Sequence, residues 1–211
     1  MKETAGKVFS IAKENPLIPG CTITKELNAD STYYFLAQYG DIKAERYENE
    51  KLIMVIDGRM DVQTDQNQEL TKGMVFVIPT DQSVHMSTGT GCIFTMFEIK
   101  DGAQMPADLK KNTALALADL IPQAQGSVVN KDLLTQAGGK LCVMRLDAGT
   151  ELKEHAADGD ALLFAVEGEA TITYEGKEFA IRHDESFLFA KGAVHALKAK
   201  EPFTMVLWME D

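Results

Sequence analysis

The chain has 211 residues, of which 45% are hydrophobic and 25% charged, a composition typical of a globular protein and unlike that of a disordered chain. Its formal net charge is -11, with 32 acidic and 21 basic residues, so its surface repels phosphate backbones and nucleic acid is not expected as a partner. The 3 cysteines do not form a metal-binding spacing or a disulfide framework. The N-terminus lacks the apolar core of a signal peptide, and no apolar run approaches the ~20 residues of a membrane span. We therefore expect a cytoplasmic protein with no membrane contact.

Two short segments carry the helix signals of the chain. The first covers residues 7–16, and the second covers residues 113–121, which is either a helix or a strand followed by a short helical turn. The rest is rich in short alternating segments separated by turn residues, and residues 171–181 are predicted to form a hairpin around a Glu-Gly turn. This pattern is typical of a β-sandwich or β-barrel.

An internal repeat is the strongest signal in the sequence. Residues 52–62 and 162–172 both consist of an apolar run, an acidic residue followed by glycine, and a run of alternating character. The two glycines, Gly58 and Gly168, lie 110 positions apart (168 − 58). We predict that each segment forms two strands joined by a tight turn, with the glycine supplying a positive φ.

A second pair of segments repeats with the same offset. Residues 84–86 (Val-His-Met) correspond to residues 194–196 (Val-His-Ala), again 110 positions apart (195 − 85). Two related domains explain this repeat most simply, and we place them at 1–105 and 106–211, with the polar stretch 100–112 as the linker between them.

The second half resembles the cupin superfamily. The first motif of that family is Gly, five residues, His-x-His, three or four residues, Glu, six residues, Gly. Gly149, His155 and Gly168 match this motif, whereas Ala157 and Ala161 stand at the positions of the second His and the Glu.

The second cupin motif ends in Pro-x-Gly, two residues and His, and Gly192 and His195 match that ending. In the first half, Arg46 stands where the first His of the family belongs, and His85 corresponds to His195 through the internal repeat. The resemblance implies an all-β chain of two tandem cupin-type barrels (double-stranded β-helix or jelly-roll) with few short helices and degenerate metal motifs.

Cupin enzymes usually hold a divalent metal with three His and one Glu. In the C-terminal barrel His155 and His195 fall on two of these positions, and we consider Asp160 first as a third ligand, with Asp158 and Glu154 as alternatives. Two imidazoles and one carboxylate are able to hold Fe, Mn, Zn or Ni. Because two of the four family ligands are replaced by alanine, a metal-free cavity is the competing interpretation.

Three functions from different classes follow. We expect foremost a module that binds a small organic molecule in the C-terminal barrel, with His155, His195, His85 and Arg46 as candidate ligand contacts. The alternative is a metal-dependent isomerase, lyase or dioxygenase that uses His155, His195 and a carboxylate. The third is a homodimer formed through the first barrel, because pairing protects exposed sheet edges. Cys142 lies on a predicted strand and is interpreted as a core thiol rather than a nucleophile.

Overall fold

The computed structural model describes residues 4–28, 31–123 and 125–210, and it consists mainly of β-strands. The elements of the first half are β1 (Val8–Phe9), α1 (Ile11–Glu14), β2 (Thr22–Asn28), β3 (Ser31–Leu36), β4 (Asp41–Glu45), β5 (Lys51–Gln63), β6 (Asn67–Thr71), β7 (Met74–Ile78), β8 (Val84–Ser87) and β9 (Cys92–Glu98). Those of the second half are β10 (Leu115–Ala116), α2 (Leu117–Leu120), β11 (Val128–Gln136), β12 (Gly139–Leu146), β13 (Glu151–Ala156), β14 (Ala161–Glu167), β15 (Glu169–Tyr174), β16 (Lys177–Arg182), β17 (Ser186–Phe189), β18 (Val194–Ala199) and β19 (Phe203–Glu210). Within the described part of the chain, no helix is long and apolar enough to span a membrane.

Each half forms a barrel from a large and a small sheet. In the first half the large sheet has the order β10-β7-β5-β9-β3-β2, and the small sheet contains β4, β8, β6 and the end of β5. In the second half the large sheet has the order β1-β17-β14-β19-β12-β11, and the small sheet has the order β13-β18-β15-β16. The predicted all-β, cupin-type barrel fold with few short helices is confirmed.

The two large sheets pack against each other and bury the most extensive hydrophobic cluster of the protein. Strand β14 contributes to two hydrophobic cores through its alternating side chains. Leu162 and Phe164 face this cluster, while Leu163 faces the interior of its own barrel. The rings of Phe97 and Trp208, one from each half, lie 5.0 Å apart in the cluster. Because these faces are buried within one chain, the homodimer stays a prediction and requires other surfaces.

The two halves also exchange strands. In the large sheet of the second half, β1 pairs with β17, and Val8 lies opposite Phe187. In the large sheet of the first half, β10 pairs with β7, and Leu115 lies opposite Val75. Residues 113–121 therefore contain a strand followed by a single helical turn, the second of the two predicted alternatives. The division of the chain into 1–105 and 106–211 stays a prediction, because β1 pairs with a strand of the second half and β10 with a strand of the first.

The prediction of a tight turn between paired strands is wrong for both Gly58 and Gly168, whereas the predicted positive φ is confirmed at both. Gly58 lies inside the continuous strand β5, and Gly168 joins β14 to β15, which belong to different sheets. A Cβ atom on Gly168 would lie 2.1 Å from the carbonyl oxygen of Pro202, and one on Gly58 would lie 2.2 Å from that of Gly91. The φ angle is positive at both residues, 76° at Gly58 and 81° at Gly168. Only glycine therefore lets the chain cross between the sheets so close to a neighbouring backbone.

The hairpin predicted over residues 171–181 is confirmed. Strands β15 and β16 pair in antiparallel register, and Tyr174 lies opposite Lys177. The two connecting residues, Glu175 and Gly176, both have a positive φ (48° and 74°), as a tight hairpin turn of this length requires.

Candidate ligand-binding cavity

The interior of the C-terminal barrel contains a cavity of about 430 Å³. Its lining is mainly apolar and includes Met144, Leu163, Phe189, Met205, Leu207 and Met209. Polar groups reach it at a few places only, namely His155, His195, Cys142 and a rim of Asn130, Lys140, Asp158 and Glu210. An apolar chamber with a few convergent polar groups is the usual form of a small-molecule site.

Alternation along β12 and β19 produces the sulfur-rich wall of this cavity. On β12, Cys142 and Met144 line the cavity, whereas Val143 between them faces the core between the barrels. Met144 lies directly opposite Met205 on β19, so their side chains project from the same face of the sheet. Flexible thioethers suit an irregular cavity that must adapt to a ligand.

A pair of histidines forms the polar side of the cavity. His155 on β13 and His195 on β18 lie opposite each other in register, and their ring centroids are 4.3 Å apart. The Nδ1 atom of His155 lies 2.7 Å from the carbonyl oxygen of Lys153, and that of His195 lies 3.0 Å from the carbonyl oxygen of Ala193. A carbonyl oxygen only accepts, so Nδ1 carries the proton in both rings and Nε2 of each neutral ring is an acceptor.

His195 is held in its neutral form. Its residue is only 8% exposed, and its ring stacks on Phe189 at a centroid distance of 4.2 Å. Burial lowers the pKa of His195 below its ordinary value of 6.5, and the neighbouring His155 acts in the same direction, against the opposing effect of the hydrogen bond to Ala193. Sequence analysis did not identify Phe189, for which the only signal is its place six residues before the matched histidine.

Cys142 also lines the cavity but is not an activated nucleophile. Its thiol is buried, and this burial raises its pKa to about 12. The thiolate is therefore scarce at neutral pH, and the side chain contributes to the apolar wall.

The donor set does not complete a metal centre. The carboxylate of Asp160 accepts a hydrogen bond from the backbone nitrogen of Lys191 at 2.9 Å, and Asp160 is not among the residues that line the cavity. Asp158 does line it, but across the ranges that the structure describes no three His, Cys, Asp or Glu side chains are grouped so as to hold a metal ion. His155 and His195 therefore offer two nitrogen donors, fewer than the three or four protein ligands of typical sites.

Other residues stand at the positions of the histidine pair in the first barrel. On the β4–β8 ladder Glu45 lies opposite Val84, after the same kind of register shift that precedes the pairing of His155 with His195. Glu45 and Val84 therefore occupy the two histidine positions in the N-terminal barrel.

The two other candidate contacts lie away from the cavity. The correspondence of His85 with His195 is displaced by one residue, and such a slip turns a side chain to the other face of the sheet. The neighbours of His85 on both sides are buried in the barrel interior, while His85 points outward and its Nδ1 lies 3.1 Å from Oε1 of Gln63. Arg46 is exposed in the loop after β4. Neither residue joins the histidine pair at the cavity.

Aromatic rings narrow the N-terminal barrel where the C-terminal barrel is open. Tyr34 and Phe94 lie opposite each other in register, at the positions that Met144 and Met205 occupy in the second half. Their rings stack at a centroid distance of 4.9 Å with an interplanar angle of 3°. The stacked pair occupies space that the two methionines leave accessible.

An ion pair spans the corresponding positions at the mouth of the N-terminal barrel. Lys51 and Glu98 are opposite each other in register and form a salt bridge. The equivalent positions in the second half are Ala161 and Met209, which both line the cavity. The same scaffold therefore leaves a pocket of about 150 Å³, lined in part by Tyr34, Lys51 and Glu98, in the first half and a cavity of about 430 Å³ in the second.

Comparisons with known proteins agree with this fold. A family model described as the cupin domain matches residues 142–209, and no curated protein matches the sequence.

Among solved structures, a cupin 2 conserved barrel domain protein from Leptotrichia buccalis superposes with a TM-score of 0.83 at 19% identity, covering 100% of this chain and 99% of the other. The E. coli protein Ylba gives a TM-score of 0.61 at 12% identity, with 93% and 86% covered. A salicylate 1,2-dioxygenase from Pseudaminobacter salicylatoxidans gives 0.62 at 12% identity, with 90% and 76% covered. At these identities the structural likeness concerns the fold alone. Residues 142–209 therefore match a cupin domain, and the structural likeness shows a cupin-type barrel fold over the chain.

Proposed function

We propose that this protein binds a small organic molecule in the cavity of its C-terminal barrel. The observation that supports this most directly is the contrast between the two halves. Equivalent positions hold a stacked Tyr34–Phe94 pair in the first barrel and the methionines Met144 and Met205 around a cavity in the second.

The size and lining of the cavity favour a compact, largely apolar ligand. Its volume of about 430 Å³ lies within the ~300–1,000 Å³ typical of small-molecule sites. Each Å² of apolar surface that leaves water contributes roughly 25 cal/mol, so the methionine and leucine side chains provide most of the affinity. The histidine pair would then fix the orientation of the ligand.

Filling the cavity tests this proposal. The double variant Met144→Tyr/Met205→Phe introduces the aromatic pair of the first barrel, and Met144→Leu/Met205→Leu is the matched control that alters the same residues without adding rings. Binding of p-cresol is followed by NMR of methionine methyl groups, with Met60 of the first barrel as an internal reference. We expect p-cresol to shift the methyl signal of Met209 in the wild type and the leucine control, but not in the filled variant. Equal shifts in all three proteins, or shifts centred on Met60, would contradict the proposal.

One observation favours the alternative, a metal-dependent isomerase, lyase or dioxygenase. Both histidines use Nδ1 for a backbone carbonyl, and this second hydrogen bond is the usual partner of an imidazole whose Nε2 binds a metal. Elemental analysis of protein purified without chelator or nickel resin tests it. About one equivalent of Fe, Mn, Zn or Ni, lost in His155→Ala/His195→Ala, would favour the enzyme over the binding module.

A further inference from the structure

The two imidazoles of the cavity present acceptors rather than donors to a ligand. Nδ1 of His155 and of His195 is engaged by the backbone carbonyl of the residue two positions earlier in the chain. The remaining ring nitrogen, Nε2, has no hydrogen-bond partner among the described residues and carries a lone pair in the neutral ring. A ligand therefore meets acceptors at this side of the cavity, and it must bring the donor itself.

The charges at the rim act against an anionic ligand. Lys140 is the cation of the lining, and its Nζ lies 2.8 Å from the carboxylate of Asp132. The amide of Asn130 donates to the same carboxylate at 3.2 Å, so both rim donors are directed to Asp132. Asp158 and Glu210 add two carboxylates to the lining. A carboxylate ligand would approach this acidic rim on a chain of net charge -11, which is unfavourable.

The walls beside the histidines suit an aromatic ring. Phe189 stacks on His195 with an interplanar angle of 29°, so the two rings together form a nearly flat wall at this end of the barrel. Met144 and Met205 lie opposite each other on the facing wall. Thioether sulfur makes favourable contacts with aromatic rings, and these contacts add to the burial of apolar surface.

We infer that the cavity takes an uncharged phenol, whose hydroxyl donates a hydrogen bond to Nε2 of the histidine pair while its ring lies among the methionines. The inference rests on the proposed function and defines the ligand class for that same site. A ligand without the donor leaves the acceptor of the buried His195 unpaired, which weakens binding by roughly tenfold. An aromatic carboxylate of the same size meets repulsion at the rim and finds no free donor at the histidines.

Three probes of similar shape separate the effect of the hydrogen-bond donor from that of the ligand charge, with binding measured by isothermal titration calorimetry at pH 7.5. p-Cresol carries the donor, 4-methylanisole keeps the ring but lacks the donor, and p-toluate is anionic. We expect p-cresol to bind the wild type roughly tenfold more tightly than 4-methylanisole, with p-toluate weakest. His195→Phe and His155→Phe should each reduce the preference for p-cresol, and the two together should abolish it. His85→Phe, the same substitution on the outer face of the first barrel, should leave it unchanged.

The wild-type comparison needs no variant and therefore does not depend on the variants folding. If 4-methylanisole or p-toluate binds the wild type as tightly as p-cresol, and the filled variant Met144→Tyr/Met205→Phe loses that binding, the phenol inference is overturned while ligand binding in the cavity stands. If the wild type binds none of the probes and filling the cavity changes nothing, the proposed function fails and the inference fails with it.

Discussion

The substitution Gly168→Ala is expected to destabilise the protein through two separable effects. With φ at 81°, the residue lies in the left-handed region, where an L side chain costs about 1–2 kcal/mol. Its Cβ would also lie 2.1 Å from the carbonyl oxygen of Pro202, so the neighbouring backbone must move. Such overpacking typically costs ~1–3 kcal/mol. The free energy of unfolding should therefore fall by about 2–5 kcal/mol in Gly168→Ala.

The hairpin residue Gly176 provides the matched control. It has a similar φ of 74°, but an added Cβ there meets no atom within 4 Å. Gly176→Ala should therefore lose only the backbone part, about 1–2 kcal/mol. Urea unfolding followed by the fluorescence of Trp208, which is fully buried between the barrels, measures both values. If the two variants lose the same free energy of unfolding, the close approach at Gly168 does not constrain the sheet crossing as described.

Three further predictions concern the interface between the halves, the thiols and the buried imidazole. Residues 106–211 alone should aggregate in size-exclusion chromatography and become soluble when co-expressed with residues 1–105, because separation exposes the apolar interface cluster. A folded monomer of 106–211 would contradict this. A thiol reagent should modify the exposed Cys21 quickly in the native protein and the two buried cysteines only after unfolding. Fast reaction of a second thiol would refute the burial described here. Because the pKa of His195 is lowered in the folded state, the unfolded state binds the proton more readily below pH 6.5, and the free energy of unfolding should fall as pH drops through that range. His195→Leu should reduce this slope, and an unchanged slope would show that another group is responsible.

Local patterns in the sequence were sufficient to identify the fold. The hairpin around Glu175 and Gly176 follows from alternation and from a turn that needs a positive φ at both residues, and neither property depends on distant parts of the chain. The repeat with a spacing of 110 positions and the glycine and histidine motifs indicated cupin-type barrels, and the cupin-type fold is confirmed. These features are predictable because they lie within short stretches of sequence.

The candidate site was predictable only in part. His155 and His195 occupy motif positions, and the structure brings their rings together. The displacement of His85 by one residue could not be read from the repeat, because the face on which a strand residue lies depends on the register with its neighbours. Asp160 is adjacent in sequence to residues of the cavity, but its carboxylate accepts a hydrogen bond from the backbone of Lys191, in the distant turn between β17 and β18.

The sequence by itself determined that the chain forms a β-barrel fold of short alternating strands, since period-two patterning and turn chemistry are encoded residue by residue. Only the tertiary structure decided that β1 and β10 are exchanged between the halves and that Gly58 and Gly168 carry the chain between sheets. It also decided that the first barrel keeps a much smaller cavity than the second, because a cavity depends on which side chains meet across a barrel. Tyr34 meets Phe94 in one half and Met144 meets Met205 in the other, and these contacts join strands far apart in the chain.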